Sequence, residues 1–233
     1  MKKNKTALFT YQPQESTIDY DGYLSLLMFT SGCNFRCRYC HNPDLIIPQE
    51  YCIPEDELHQ ILTLAKDNWI DAVSISGGEP TISPYLVSTL SLIKSMGFLI
   101  KLDTQGSFPD VLEKALPYVD YVAMDYKMPI DQLSDLTQTY ISQTAIQRSL
   151  KMLLEGSTQY EIRTTIVPGL QTESDMIQMC KELQHVSTYI LQSFVPRENL
   201  PDPAYCLKPR TPLPLLQKYQ ELCKTFLPNV IIR

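Results

Sequence analysis

Ser31-Gly32-Cys33-Asn34-Phe35-Arg36-Cys37-Arg38-Tyr39-Cys40-His41-Asn42 holds three of the chain's seven cysteines within eight residues, three residues separating the first pair and two the second. One short loop with this spacing can aim three thiolates at a common point. Soft thiolates select zinc, copper(I) or iron–sulfur clusters, and a four-iron cluster normally takes four cysteines, one on each iron. Only three are offered. The plain alternative is a structural zinc site with His41 as fourth ligand. Cys40 and His41 are adjacent, however, so their side chains leave the backbone in different directions, whereas structural zinc sites draw their ligands as spaced pairs from two places. A disulfide fits less well, because nothing in the chain signals export and cytosolic thiols stay reduced. An iron left without a protein ligand can coordinate a small molecule, as a catalytic metal keeps an open position.

At 233 residues the chain suits one α/β barrel or open sheet and should bury roughly three quarters of its unfolded-state surface. The formal charge of −6 comes from 26 acidic against 20 basic residues, with no basic block beyond Met1-Lys2-Lys3-Asn4-Lys5, so nucleic acid is a poor partner. The N-terminus lacks an apolar run of the signal-peptide kind. Leu26-Leu27-Met28-Phe29, the longest strongly apolar run, falls far short of the ~18 residues a membrane span requires. A cytoplasmic protein without membrane attachment is expected. Cys52, Cys180, Cys206 and Cys223 are scattered singly and read as small buried hydrophobes or free thiols.

In chain order, residues 1–22 read as an irregular lead-in ending in the turn Tyr20-Asp21-Gly22, and 23–233 as a single core domain. Leu24 to Thr30 is a strand feeding the cysteine loop, which places the loop at a strand's carboxyl end, where α/β barrels keep their chemistry. Pro54-Glu55-Asp56-Glu57 opens a helix with Pro and acids in its first turn, and Leu58, Ile61, Leu62 and Ala65 give it an apolar face. Asp71 to Ser76 is a second strand running into Ser76-Gly77-Gly78-Glu79-Pro80, a tight backbone with a fixed carboxylate beside it. A helix follows, with Ser83 as N-cap, Pro84 at its first position and Gly97 closing it. Further strands run from Phe98 to Thr104, Val119 to Lys127, Tyr160 to Val167 and Thr188 to Val195. Alternation puts Lys101 with Asp103, Ala123 with Asp125 and Lys127, and Arg163 with Thr165. Several strands each delivering charge to a carboxyl end point to a site, since buried ion pairs cost desolvation and are weak evidence for stability. Helices are predicted from Ala145 to Glu155, after a capping box at Thr172-Glu173-Ser174-Asp175, and from Leu215 to Phe226 beyond a proline-rich loop, Pro196 to Pro214. Six strands alternating with helices mean a parallel sheet with right-handed crossovers. The fold class is α/β, and a partial (β/α)6 TIM-like barrel fits better than the closed eightfold form, for which ~250 residues are typical. A doubly wound sheet satisfies the periodicity as well.

The cysteine loop matches the Cys-x3-Cys-x-aromatic-Cys signature of the radical S-adenosylmethionine (SAM) superfamily residue for residue, with Tyr39 as the aromatic. Gly77-Gly78-Glu79-Pro80, Asp103-Thr104, Asp125-x-Lys127 and Ile166-Val167-Pro168-Gly169 follow in order. With them the chain resembles the glycyl-radical-enzyme activating enzymes of that superfamily, those of anaerobic ribonucleotide reductase most closely and those of pyruvate formate-lyase next. The likeness covers about Ser16 to Val195, and Ile18 through Pro43 carries most of its nearer part.

That resemblance implies a [4Fe–4S] cluster on Cys33, Cys37 and Cys40, with the methionine amino and carboxylate groups of SAM chelating the fourth iron. It implies Tyr39 near the adenine, the Gly77-Gly78-Glu79 turn at the amino group, Lys127 and Arg163 at the carboxylate or ribose, and the Val167-Pro168-Gly169 turn over the adenine. Asp103, Thr104 and Asp125 match positions that help bind a monovalent cation in the pyruvate formate-lyase relative. The implied reaction is reductive cleavage of SAM and hydrogen abstraction from a glycine of a partner glycyl radical enzyme, with a flavodoxin or ferredoxin as electron donor. No protein base is needed. Gln105 stands where Asn is common, Asp21 and Arg38 where Pro is common; none of the three is a proposed ligand. Two other readings stay open: a radical SAM enzyme acting on a small metabolite, and a non-catalytic iron–sulfur or zinc protein.

Overall fold

A computed structural model describes residues 5–9 and 14–233. Apart from Lys5, the N-terminal basic stretch lies outside the described residues. The chain divides into two compact units. The first holds the described residues up to Asn34, then Asp44–Val122 and Ser157–Gln159; the second holds Phe35–Pro43, Ala123–Gly156 and Tyr160–Arg233.

In the first unit, strands β1 (Gln14–Ser16), β2 (Ser25–Thr30), β3 (Ala72–Gly77) and β4 (Leu99–Thr104) lie side by side in chain order. β1 is antiparallel to β2; the other neighbours are parallel. The register lines up Leu26, Val73 and Ile100 in one row and Met28, Ile75 and Leu102 in another. All six side chains are buried, each worth about 1.5–3 kcal/mol relative to exposure. Helices α1 (Glu55–Asp67), α2 (Leu86–Ser95) and α3 (Pro109–Ala115) make the crossovers. α1 carries three acids in its first turn and buries Leu58, Leu62 and Ala65; α2 buries Leu86, Leu90 and Ile93. α2 starts later than its sequence signals suggest. A 3-10 turn, Pro80–Ile82, occupies the chain after Glu79, and the Ser83 hydroxyl accepts from the Tyr85 N–H instead of capping the helix. The lead-in is also more ordered than expected: besides β1, Lys5 bridges to Pro54 and Leu8 to Thr30, with Leu8 fully buried.

Strand β5 (Tyr121–Asp125) starts in the first unit and contributes Ala123 to Asp125 to the second. The second unit continues with α4 (Leu133–Thr137), α5 (Gln143–Glu155), β6 (Gln159–Ile166), α6 (Glu173–Glu182), β7 (Tyr189–Ser193), α7 (Pro203–Cys206), α8 (Leu213–Lys224) and β8 (Val230–Ile232). β6, β7 and β8 pair parallel in that order. α5 is capped by Ser142 and starts two residues ahead of Ala145. At α6 both halves of the capping box form: the Thr172 hydroxyl accepts from the Asp175 N–H at 3.2 Å, and the Asp175 carboxylate accepts from the Thr172 N–H at 2.8 Å. The proline-rich stretch contains the short α7, capped by Asp202. β8 lies beyond the last sequence-predicted element, and Arg233 just after it forms a two-pronged pair with the buried Glu161 at 2.8 and 2.9 Å.

Candidate functional site

The first unit supplies Cys33 and the turn after β3. Two bonds seat the base of the cysteine loop: Gly32 N–H to Leu45 C=O at 2.8 Å and Cys33 N–H to Ile46 C=O at 3.0 Å. The Gly-Gly turn binds the same place, through Gly78 N–H to Thr30 C=O at 3.0 Å and Glu79 N–H to Gly32 C=O at 2.9 Å. A Cβ on Gly77, which has φ +116°, would stand 2.3 Å from the Thr30 oxygen; one on Gly78 would stand 2.2 Å from the Gly32 oxygen. Glycine is therefore demanded by backbone meeting backbone.

Glu79 is buried and turned inward. Its carboxylate accepts from the Thr81 N–H at 3.1 Å and the Thr81 hydroxyl, from the Thr104 hydroxyl at 2.6 Å and from the Gln105 N–H at 2.9 Å. Burial raises its pKa, against the downward pull of those donors. The side chain thus locks the end of β3 to the end of β4. Asp103 pairs with the buried Lys101 at 2.6 Å and accepts from the Ser76 hydroxyl at 3.1 Å. Beside it the Gln105 amide nitrogen donates to the Asn34 carbonyl at 2.6 Å, while the Gln105 carbonyl oxygen is buried without a hydrogen-bond partner.

The second unit supplies Cys37, Cys40 and Tyr39. Cys37 is buried and Cys40 half-buried, and burial pushes the Cys40 thiol up. Tyr39 lies in an apolar cluster with Met128, Leu136, Val167, Phe194, Leu200 and Tyr205. Its ring meets Phe194 edge-on at 6.4 Å and Tyr205 at 6.0 Å. Burial raises its pKa, and its hydroxyl has no hydrogen-bond partner, a deficit that costs about 1–3 kcal/mol unless a ligand answers it. Two of the residues expected at the adenine, Tyr39 and Val167, thus come together. The turn that begins at Val167 is held by Gln171, whose side chain accepts from the Val167 N–H at 3.0 Å and donates to the Thr165 C=O at 3.1 Å, and by Lys208, which donates to the Pro168 C=O at 2.8 Å. Neither holding residue carried a sequence signal.

Asp125, Lys127 and Arg163 form one charge cluster. Asp125 pairs with Lys127 at 2.8 Å and with Arg163 at 3.0 Å. Burial alone would raise the Asp125 carboxyl; Lys127 and Arg163 outweigh it and hold the pKa well below the carboxylate range. For Lys127 burial pulls down, and Asp125 more than reverses it. Asp125 thus gathers two cations at one place, the kind of group that pairs with a carboxylate. His41 is satisfied locally: its Nε2 bonds the Val195 C=O at 2.8 Å, and burial lowers its pKa.

The family model of the radical SAM superfamily matches residues 27–183, more than half of the chain. The chain belongs to the radical SAM superfamily. It is 29% identical over 225 residues to a Methanocaldococcus jannaschii protein that carries the provisional name glycyl-radical enzyme activating enzyme MJ1227, covering 94% of this chain and 92% of that one. It is 28% identical over 231 residues to the pyruvate formate-lyase-activating enzyme of Streptococcus mutans, covering 89% and 87%. Among solved structures it shares the fold of Streptococcus suis SuiB bound to S-adenosylmethionine, with TM-score 0.69 and 15% identity over 90% of this chain; it spans half of that longer protein, 50%. The α/β fold expected from the sequence is thus the radical SAM fold. The chain is a radical SAM enzyme, and family membership brings a [4Fe–4S] cluster and SAM as cofactors.

The residues present fit those cofactors. Among the described residues no three His, Cys, Asp or Glu side chains gather closely enough for a single metal ion, and a four-iron cluster asks for something else, one thiolate on each of several irons. The orphaned Tyr39 hydroxyl and the two cations gathered at Asp125 are features that suit a bound SAM. Among the described residues no helix is long and apolar enough to cross a membrane.

Proposed function

We propose that the chain is an activating enzyme that installs a glycyl radical on a partner enzyme, with anaerobic ribonucleotide reductase as the first partner to test. The observation that carries the reading is the cysteine loop: Cys33, Cys37 and Cys40 would hold three irons and leave the fourth to SAM. When bound, cluster and SAM supply a one-electron cleavage and a carbon radical that removes one hydrogen atom from substrate. The chain's own residues bind and orient. Lys127 and Arg163, gathered beside Asp125, would hold the SAM carboxylate. Tyr39 and Val167 would flank the adenine. The Gly77-Gly78-Glu79 turn would offer an ammonium group its backbone carbonyls, because the Glu79 carboxylate is already engaged by Thr81, Thr104 and Gln105. A monovalent cation near Asp103, Thr104 and Asp125 would compete with Lys101 and Lys127, which pair with those carboxylates at 2.6 and 2.8 Å. The proton ledger asks for no general base, consistent with a His41 bonded only to backbone. The electron would come from a flavodoxin or ferredoxin.

Two relatives of nearly matching extent, named as activating enzymes, support a protein substrate over a small metabolite. The test is anaerobic reconstitution with iron, sulfide, SAM and a reductant, followed by electron paramagnetic resonance with anaerobic ribonucleotide reductase or pyruvate formate-lyase added. A glycyl doublet on the reductase supports the proposal in full. A doublet on the lyase alone changes the partner, and 5′-deoxyadenosine with neither doublet favours the small-metabolite reading.

A further inference from the structure

The cysteine loop has two faces. Phe35, Cys37 and Tyr39 are buried, at 3%, 7% and 4% exposure, while Arg36 and Arg38 between them are exposed. Successive side chains therefore turn to opposite sides, ligand cysteine inward and guanidinium outward. Both arginines are set by their surroundings. Arg36 donates to the Phe35 C=O at 2.8 Å, and its own N–H bonds the Thr137 C=O at 2.9 Å. The Arg38 C=O accepts from the Asp202 N–H at 3.1 Å. With its carboxamide oxygen turned toward Arg38, Gln138 accepts from Nε and Nη2 at 3.1 and 3.2 Å. Gln138 holds that place from the left-handed region, φ 52°, the kind of backbone strain that persists where surrounding structure enforces it. Arg197, also exposed, donates to the His41 C=O at 3.2 Å. Three of the chain's seven arginines thus touch or belong to the segment from Phe35 to His41.

Arg36 and Arg38 line an open depression of about 430 Å³ walled by Gln138, Pro201, Asp202 and Pro203. The acid on that wall is engaged: Asp202 accepts from the Ala204 N–H at 2.9 Å as the cap of α7. Asp135 borders an adjoining depression of about 340 Å³, which Arg38 also lines. The chain as a whole carries −6, so an acidic partner is repelled by most of its surface, and a local patch of opposite sign decides where it lands.

Resting on the cluster reading above, we propose that Arg36, Arg38 and Arg197 form the docking face for an acidic one-electron carrier protein, which delivers its electron from the outer side of the cysteine loop past Cys37. The step balances as one electron: the reduced carrier is oxidised by one, the [4Fe–4S] cluster goes from the 2+ to the 1+ state, and no bond or proton moves. Carrier docking and SAM binding then use opposite faces of one segment, and the carrier need not enter the SAM pocket.

The test compares the cluster-loaded parent with Arg36→Glu/Arg38→Glu and with Lys151→Glu/Lys224→Glu, which makes the same change in net charge on exposed helix residues elsewhere. Affinity for an oxidised acidic flavodoxin, and for an acidic ferredoxin, is read by quenching at low and high salt. SAM cleavage is then driven in parallel by the reduced carrier and by dithionite. The arginine variant should bind the carrier about tenfold or more weaker at low salt, lose most of the salt dependence and lose carrier-driven cleavage, while dithionite-driven cleavage stays within about twofold. The lysine variant should behave as the parent. Unchanged carrier affinity in the arginine variant, an equal loss in the lysine variant, a parallel loss with dithionite, or no binding of either carrier to the parent overturns the proposal. So does a variant that keeps carrier affinity and fails only to activate the glycyl radical enzyme, which would reassign the face to that partner. A parent that fails to cleave SAM with dithionite removes the functional reading itself.

Discussion

At the scale of single residues, Cys37 is buried on a loop whose neighbours are fixed from the backbone, Arg36 N–H to Thr137 at 2.9 Å and Cys40 N–H to Cys37 C=O at 3.1 Å. Cys37→Ala should leave that scaffold standing and remove one iron ligand. Cluster iron and all SAM cleavage are expected to be lost in reconstituted protein, by iron and sulfide assay and by chromatography of 5′-deoxyadenosine; retained cleavage would refute the assignment. The charge cluster gives a second expectation. Asp125→Asn takes the counter-charge from Lys127 and Arg163, all three partly buried. The cost should fall between the ~0.2–1 kcal/mol of an exposed pair and the ~3–5 of a fully buried one. Because the Asp125 pKa is held down, its contribution is present above the ordinary carboxyl value and lost as pH falls through the lowered one. The gap in melting temperature between parent and variant should therefore be flat near neutrality and shrink below about pH 4. A gap that widened in acid would contradict the pairing. Cys37 was legible because it belongs to a short motif, and Lys127 beside Asp125 because the two lie two positions apart; the pairing of Arg163 with Asp125, 38 positions away on another strand, was not. The partners of Glu79, namely Thr104 and Gln105, and the brace Gln171 were not, because such contacts join separate strands and polar core residues follow no period.

At the scale of elements, periodicity and caps located β2 to β7 and the buried face of α1, since each buries a regular apolar stripe. β1 and β8 have three residues each, too few for alternation to be read. The start of α2 was misplaced because Ser83-Pro84 carries a good capping signal that the 3-10 turn after Glu79 overrides. The Gly-Gly turn read as a close backbone approach, and the structure gives that approach a specific partner, Gly32 at the foot of the cysteine loop. Gly78→Ala should then cost more than an ordinary glycine replacement, since a Cβ 2.2 Å from the Gly32 oxygen can be relieved only by moving backbone. A loss of about 3 kcal/mol is expected, at the upper end of overpacking. Gly97→Ala is the control: it has φ +80° but nothing within 4 Å of a Cβ, so it should lose only about 1 kcal/mol of left-handed strain. Equal losses in denaturant titrations would mean that the close approach is not what the turn requires.

At the scale of the whole molecule, the cysteine motif sufficed for the superfamily and the order of four strand-end signatures pointed to the subgroup, whereas the partner enzyme and the electron donor were beyond the sequence because recognition between proteins depends on surfaces assembled from distant segments. Arg197 beside His41 is such a case, 156 positions apart in the chain. Cofactor binding is itself readable as stability, because anything that binds the native chain and not the unfolded one shifts the folding equilibrium by RT ln(1 + [L]/Kd). At a hundredfold excess over Kd that amounts to about 2.7 kcal/mol, or roughly 5–10 °C in melting temperature for a chain of this length. If SAM chelates an iron that no side chain occupies, cluster-loaded protein should show this rise under anaerobic conditions. Apo-protein and Cys37→Ala should show little of it, having no iron to chelate and only the Tyr39 and Lys127 surroundings to offer. An equal rise in apo-protein would place the binding energy in the protein walls and take the open iron out of the explanation.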